Sequence, residues 1–233
     1  MTGQNITFYT SAYCPFAARA AIAFEETQHP KESVEIDLTT ARPDWYLRDI
    51  NPYGQVPALK VNDEHIILES LFVAEYLADL HPESGLLPKD ALQRAQLRYL
   101  IHTYGTHVHT AHFKAAYTSD AEETVKHRAA LLVELEKFEK LLTGAHITEE
   151  GPYFLGKNFT LADLAIAPFL VRFFLVDAYH RVEGAPDFLE TKEAKEKLPR
   201  FLAWKAAVEA RESVQKTTPD LEYIKNVYKK FIK

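Results

Sequence analysis

The chain holds a single cysteine, Cys14, in 233 residues, so no disulfide can brace it from within and its stability must come from its core. That scarcity points to a reducing compartment. The opening residues carry no charged-then-apolar leader of the secretory kind, and a cytoplasmic setting is expected. Uninterrupted apolar runs are also missing. The longest apolar region, 161–179, is broken by Asp163, Pro168, Arg172 and Asp177, so no membrane association is expected. With 27 Lys and Arg against 33 Asp and Glu the net charge is −6, and no cationic stripe with interleaved aromatics is present to gather phosphate backbones. Nucleic acid is therefore not expected as a partner. Histidines 102, 107, 109 and 112 fall on more than one helix face and have no cysteine or carboxylate companions at ligand spacing, so no metal is expected.

What is present is a hydrophobic content of 47 %, enough for one or two compact domains. Residues 1–81 alternate short apolar runs with helical ones: strands near 6–9, 33–38, 57–61 and 64–68, helices near 15–27, 43–50 and 69–80. The order is βαβαββα. A crossover helix makes the first two strands parallel, and the short turn Asn62-Asp63-Glu64 makes the last two antiparallel, which predicts a mixed four-stranded, thioredoxin-like sheet. Turn-forming residues over 82–90 read as a linker. Beyond it helical spacing recurs over 91–117, 121–142, 161–179, 194–210 and 221–231, predicting an all-helical second domain over 91–233. Thr160 and Asp163 make a capping-box pair at the start of the helix containing Ala165, Phe169 and Phe173, a structural role.

Chemistry concentrates in the first domain. Pro15 suits the first position of a helix because its missing N–H is one the helix leaves unpaired, so Cys14 becomes the N-cap. Its sulfur then faces free amides and the positive end of the helix dipole, which predicts a thiol pKa below the ordinary value of about 8.5 and a nucleophile at neutral pH. In the segment Asn51-Pro52-Tyr53-Gly54-Gln55-Val56-Pro57 two readings stay open: an ordinary trans turn before a strand, or a cis Val56–Pro57 bond that turns the N–H and C=O of Val56 outward at the sheet edge, where an extended peptide can pair with both. Glu69 and Ser70 follow the last strand and open a helix. Free amides, a hydroxyl and a carboxylate there suit both charges of an α-amino-acid head group. Together these features describe a receptor for a short thiol peptide with a γ-glutamyl end.

The motifs Cys14-Pro15-Phe16-Ala17, Arg42-Pro43-Asp44-Trp45, Asn51 to Pro57 and Glu69-Ser70 resemble those of the cytosolic glutathione transferases, most closely the omega class, over essentially the whole chain. The resemblance implies the glutathione transferase fold, glutathione as co-substrate without a metal, and a homodimer. It also implies catalysis through a Cys14–glutathione mixed disulfide, serving disulfide reduction, deglutathionylation or dehydroascorbate reduction. Phe16, Arg42, Val56, Pro57, Glu69 and Ser70 are the implied glutathione contacts. Arg42 stands where the family usually has lysine, and its fork of donors is expected to reach the glycyl carboxylate. The helical domain is expected to supply the pocket for a small hydrophobic, disulfide or glutathionylated second substrate. Tyr99, Thr103, Tyr104, His107, Phe169, Phe173 and Phe174 are the pool for that pocket, with Tyr104, His107 and Phe173 its leading members. Two alternatives stay open: Ser11 activating glutathione for attack on electrophiles, or a non-catalytic ligand-binding or regulatory member of the same fold.

Overall fold

The computed structural model describes residues 4–118, 120–144, 150–179 and 186–232. Strands β1 (Ile6–Thr10), β2 (Glu32–Glu35), β3 (Ala58–Val61) and β4 (His65–Leu68) form one sheet in the order β2-β1-β3-β4. β1 and β2 run parallel because α1 (Pro15–Thr27) crosses between them, whereas β3 is antiparallel to both β1 and β4. Asn62 and Asp63 take left-handed conformations, φ 52° and 59°, in the tight turn that reverses the chain from β3 to β4. Side chains alternate across the sheet. Ile6, Phe8, Leu59 and Val61 pack on one face with Phe24 of α1 and with Val73 and Leu77 of α3 (Ser70–Leu80). Tyr9 and Ala58 face the other way, against Tyr46 of α2 (Asp44–Asp49) and Cys14.

The rest is helical: α4 (Ala91–Thr103), α5 (His109–Tyr117), α6 (Ala121–Leu142), α7 (Leu161–Leu170), α8 (Leu175–Ala178), α9 (Lys192–Lys197), α10 (Pro199–Glu209), α11 (Glu212–Thr217) and α12 (Leu221–Tyr228). Three of the helices expected from the sequence prove to be divided. A π turn over Tyr104–Val108 separates α4 from α5, a local widening that leaves the apolar spacing almost unchanged. Pro168 lies in the last turn of α7 and withholds an N–H, and the chain leaves the α-helix at Leu170. α9 and α10 part at Leu198, the residue before Pro199, where the proline ring disfavours helical backbone.

Asp163 anchors α7 as expected of a structural residue. Its carboxylate accepts from the Thr160 N–H (2.9 Å) and hydroxyl (3.0 Å), the Phe154 N–H (2.9 Å) and Trp204 Nε1 (2.7 Å). One hydrophobic cluster runs from Phe8 and Phe24 through α7 to Trp204, so the sheet and the helices share a core. Polar ties cross the same boundary: Leu161 N–H donates to Leu86 O (2.8 Å), and Arg211 clasps Glu26 of α1 through Nε (2.8 Å) and Nη2 (2.7 Å). Among the described residues no helix is long and apolar enough to cross a membrane.

Candidate active site

Cys14 is the N-cap of α1, with extended backbone (φ −77°, ψ 118°) and Pro15 directly behind it. Its N–H donates to Ser11 O (3.0 Å), closing the loop that presents the sulfur, and the thiol donates to Val56 O at 3.8 Å. The position is the expected one, but the electrostatics differ. Burial pushes the Cys14 thiol above its ordinary pKa, outweighing the Ala17 and Phe16 amides and the charges of Arg172 and Arg19, which all pull it down. The expectation of a thiolate at neutral pH is thereby corrected, since burial favours the thiol. Cys14 is only 9 % exposed, packed among Tyr9, Tyr46 and Val56, so desolvation of the anion exceeds what the helix terminus returns.

A cleft of about 400 Å³ opens on one side of Cys14, lined by Phe16, Arg42, Val56, Pro57, Glu69 and Ser70 as well as Cys14 itself. The fold thus brings together every residue that the resemblance assigned to glutathione. Val56–Pro57 is a cis bond at the head of β3. The preceding loop is held by Tyr46 Oη and Asn51 Nδ2, which both donate to Gln55 O (2.7 and 2.9 Å). Gly54 sits at φ 63° with Arg42 Cγ only 2.8 Å from where a side chain would begin, so this position is restricted to glycine. Arg42 is partly committed to this scaffold. Its Nε donates to Gly54 O (2.9 Å) and its Nη1 to Asp37 O (3.0 Å) and Thr40 O (2.5 Å), while Nη2 takes no hydrogen bond among the described residues. Glu69 is exposed, caps α3 and holds a positive φ of 69°, a conformation few non-glycine residues adopt. Ser70 is buried, and its Oγ accepts from Arg19 Nη1 (3.1 Å).

A second cleft, about 490 Å³, opens on the other side of Cys14 and shares Phe16 and Arg42 with the first. Its walls come from α5, α7 and the chain's end: His109, Phe113, Tyr117, Phe169, Arg172, Tyr228, Lys230 and Phe231. None of the three leading second-substrate candidates lines it. Tyr104 is fully buried against Phe138 and Phe169, His107 points to solvent beside Glu134 (3.9 Å), and Phe173 is buried between His112 and Phe201. The π turn takes Tyr104 and His107 off the face that α5 presents to Cys14, and Phe173 falls after α7 has ended. Of the wider pool only Phe169 reaches the cleft; Tyr99, Thr103 and Phe174 do not. Burial, with Arg19 nearby, pushes His109 down to about 4, and burial beside His109 pushes His112 down to about 3, so both rings are neutral at pH 7. Ser11 is buried and lines neither cleft. Among the described residues no cluster of metal-binding side chains occurs.

Two buried arginines, neither of them a site candidate from the sequence, stand beside Cys14. Arg19 stands on α1 and donates through Nε to Ala165 O (2.7 Å), with its guanidinium over the rings of Phe16 (5.4 Å) and Phe169 (4.8 Å). Burial lowers its pKa to about 10, which still leaves it charged at pH 7. Arg172 follows α7 and donates through Nη2 to Tyr13 O (3.1 Å), the carbonyl just before Cys14, and through Nη1 to Pro168 O (2.5 Å). The available signal was a lone cation inside each apolar stretch, 15–24 and 161–179.

A family model for the glutathione S-transferase N-terminal domain matches residues 8–85, and one for the glutathione S-transferase C-terminal domain matches residues 121–207. The chain is 36 % identical over 138 residues to a probable glutathione transferase omega-2 of Caenorhabditis briggsae, a match covering 58 % of this chain and 53 % of that protein. It spans about half the length of the worm and fly relatives that it matches. Among solved structures, glutathione transferase Omega 1C of Trametes versicolor superposes with a TM-score of 0.77 at 30 % identity, covering 98 % of this chain and 97 % of that one. Omega 2C of the same organism gives 0.75 at 31 % identity, covering 97 % and 98 %.

Proposed function

Because this chain belongs to the glutathione transferase family, omega class, we propose that it is a glutathione-dependent thiol transferase in which the Cys14 sulfur forms a mixed disulfide with glutathione. One observation carries the reading: Cys14 stands where a peptide-sized cleft bearing Arg42, Glu69 and Ser70 meets an aromatic one, so a sulfur bridging two chemically different groups would lie across it. Glutathione would lie extended along Val56, its backbone pairing with the Val56 N–H and C=O, its γ-glutamyl head at Glu69 and Ser70, and its glycyl carboxylate toward Arg42 Nη2. A peptide N–H that takes Val56 O displaces the Cys14 thiol from the same acceptor. The thiol is then free to pass its proton to solvent.

The Cys14 thiolate attacks the glutathionyl sulfur of a disulfide, the S–S bond breaks, and the partner leaves as a thiolate that takes up a proton. With no second cysteine in the chain, resolution comes from outside. The thiolate of a second glutathione attacks the Cys14–glutathione bond, oxidised glutathione departs, and the Cys14 thiolate returns. The same cycle serves removal of glutathione from protein thiols, and reduction of dehydroascorbate is the further activity that the resemblance suggests. A cytoplasmic homodimer is the setting proposed for it.

Cys14→Ser is expected to abolish glutathione-dependent reduction of hydroxyethyl disulfide. Intact mass after incubation with oxidised glutathione is expected to show one glutathionyl addition on the parent protein and none on the variant. Full activity in Cys14→Ser would overturn the proposal. Ser11→Ala is expected to retain activity, since Ser11 lines neither cleft.

A further inference from the structure

The second cleft carries more information than its aromatic walls. The chain as a whole is acidic, at −6, yet no Asp or Glu lines this cleft, whereas Arg172 and Lys230 do. Arg172 is only 3 % exposed and has no carboxylate within ion-pair distance among the described residues. Its Nε has no hydrogen-bond partner. Its Nη1 and Nη2 donate to the Pro168 and Tyr13 carbonyls, whereas Arg211 clasps Glu26 and Arg98 pairs with Glu75. Arg19, the other buried one, has the Ser70 hydroxyl and two ring faces around it. A guanidinium taken out of water without a counter-ion costs several kcal/mol, so an anion entering the cleft recovers part of that cost. Lys230 stands at the mouth, exposed, with Nζ 5.9 Å from the Tyr13 ring centre and 5.4 Å from that of Phe231.

Resting on the thiol-transfer reading, we propose that the second cleft selects a flat aromatic partner bearing a negative charge, with the ring between the aromatic walls and the anion held by Arg172 and Lys230. A volume of about 490 Å³ accommodates one or two fused rings. The substrate class is then the glutathionyl mixed disulfide of an aromatic thiol acid. Cys14 thiolate attacks the glutathione sulfur, the S–S bond breaks, and the anionic aryl thiolate leaves beside the guanidinium.

The test measures binding apart from transfer, in the Cys14→Ser background where no disulfide chemistry occurs, so that failure here is separable from failure of the thiol-transfer reading. Naphthalene-2-carboxylate and naphthalene-2-carboxamide are titrated calorimetrically at equal ionic strength. The carboxylate is expected to bind roughly ten-fold tighter or more, the size of a charge-assisted hydrogen bond. That ratio is expected to shrink in Arg172→Gln or Lys230→Gln added to the same background. Equal or weaker binding of the carboxylate, or a ratio unchanged in both variants, would overturn the proposal. Should Arg172→Gln fail to fold, Lys230→Gln decides alone, because its side chain is exposed and holds no part of the core.

Discussion

The Cys14 sulfur sits between opposing influences: amides and arginines that favour its anion, and a dry loop that disfavours it. Because the net shift is upward, the thiolate fraction at pH 7 is smaller than that of a free cysteine, and reactivity must climb as pH rises. Iodoacetamide alkylation of the ligand-free protein is expected to show a midpoint above the ordinary value of about 8.5. Arg172→Gln should move that midpoint further up, since the Arg172 charge works against the shift. A midpoint at or below that of free cysteine would mean that the helix terminus prevails. The cysteine, the proline behind it and the N-cap role could be read from four adjacent letters. The burial could not, because it is contributed by residues distant in sequence, Tyr46, Ile50 and Val56 among them.

At the scale of elements, α7 is the member on which both halves converge, and its start depends on one carboxylate. Asp163→Ala strands four donors in the interior and is expected to lower stability by about 3 kcal/mol or more, read by urea unfolding. Thr160→Ala removes one hydroxyl from the same cap and should cost about 1 kcal/mol. α1 is tied to α11 by Glu26. Burial raises the Glu26 carboxyl, but hydrogen bonds from Arg211 and Ser213 and the Arg211 charge outweigh it and hold the pKa below its usual 4.5. A carboxyl depressed in the folded state contributes stability above its unfolded pKa and loses it as pH falls through the folded one. Stability is therefore expected to drop on acidification below pH 4.5, and Glu26→Gln should flatten that part of the pH profile. The capping box was legible at this scale, since its residues are neighbours in sequence. The π turn and the break after Pro168 were not, because a periodic apolar pattern passes through a one-residue widening with little change.

Across the whole molecule, the shared core and the ties from α1 to α7 and α11 predict that sheet and helices unfold together. The two tryptophans fall one on each side, Trp45 half-exposed on α2 and Trp204 buried on α10. In Trp45→Phe, the fluorescence of Trp204 reports the helical part, while pulse alkylation of Cys14 reports the loop beside the sheet. The two urea midpoints are expected to coincide. Separated midpoints would mean that the halves are energetically independent.

Sequence alone determined what depends on local order. The strand and helix succession of the first domain, the parallel crossover and the cap at Cys14 follow from short motifs whose backbone requirements are fixed by neighbouring residues, while Phe16 and Arg42 entered through the family resemblance alone. The tertiary structure alone decided the sulfur's environment, the commitment of Arg42 to backbone carbonyls, and the make-up of the aromatic cleft. Those features join Cys14 to Arg172 and to Tyr228, Lys230 and Phe231 near the far end of the chain. Burial and field strength depend on distance through space, and only chain folding sets that distance.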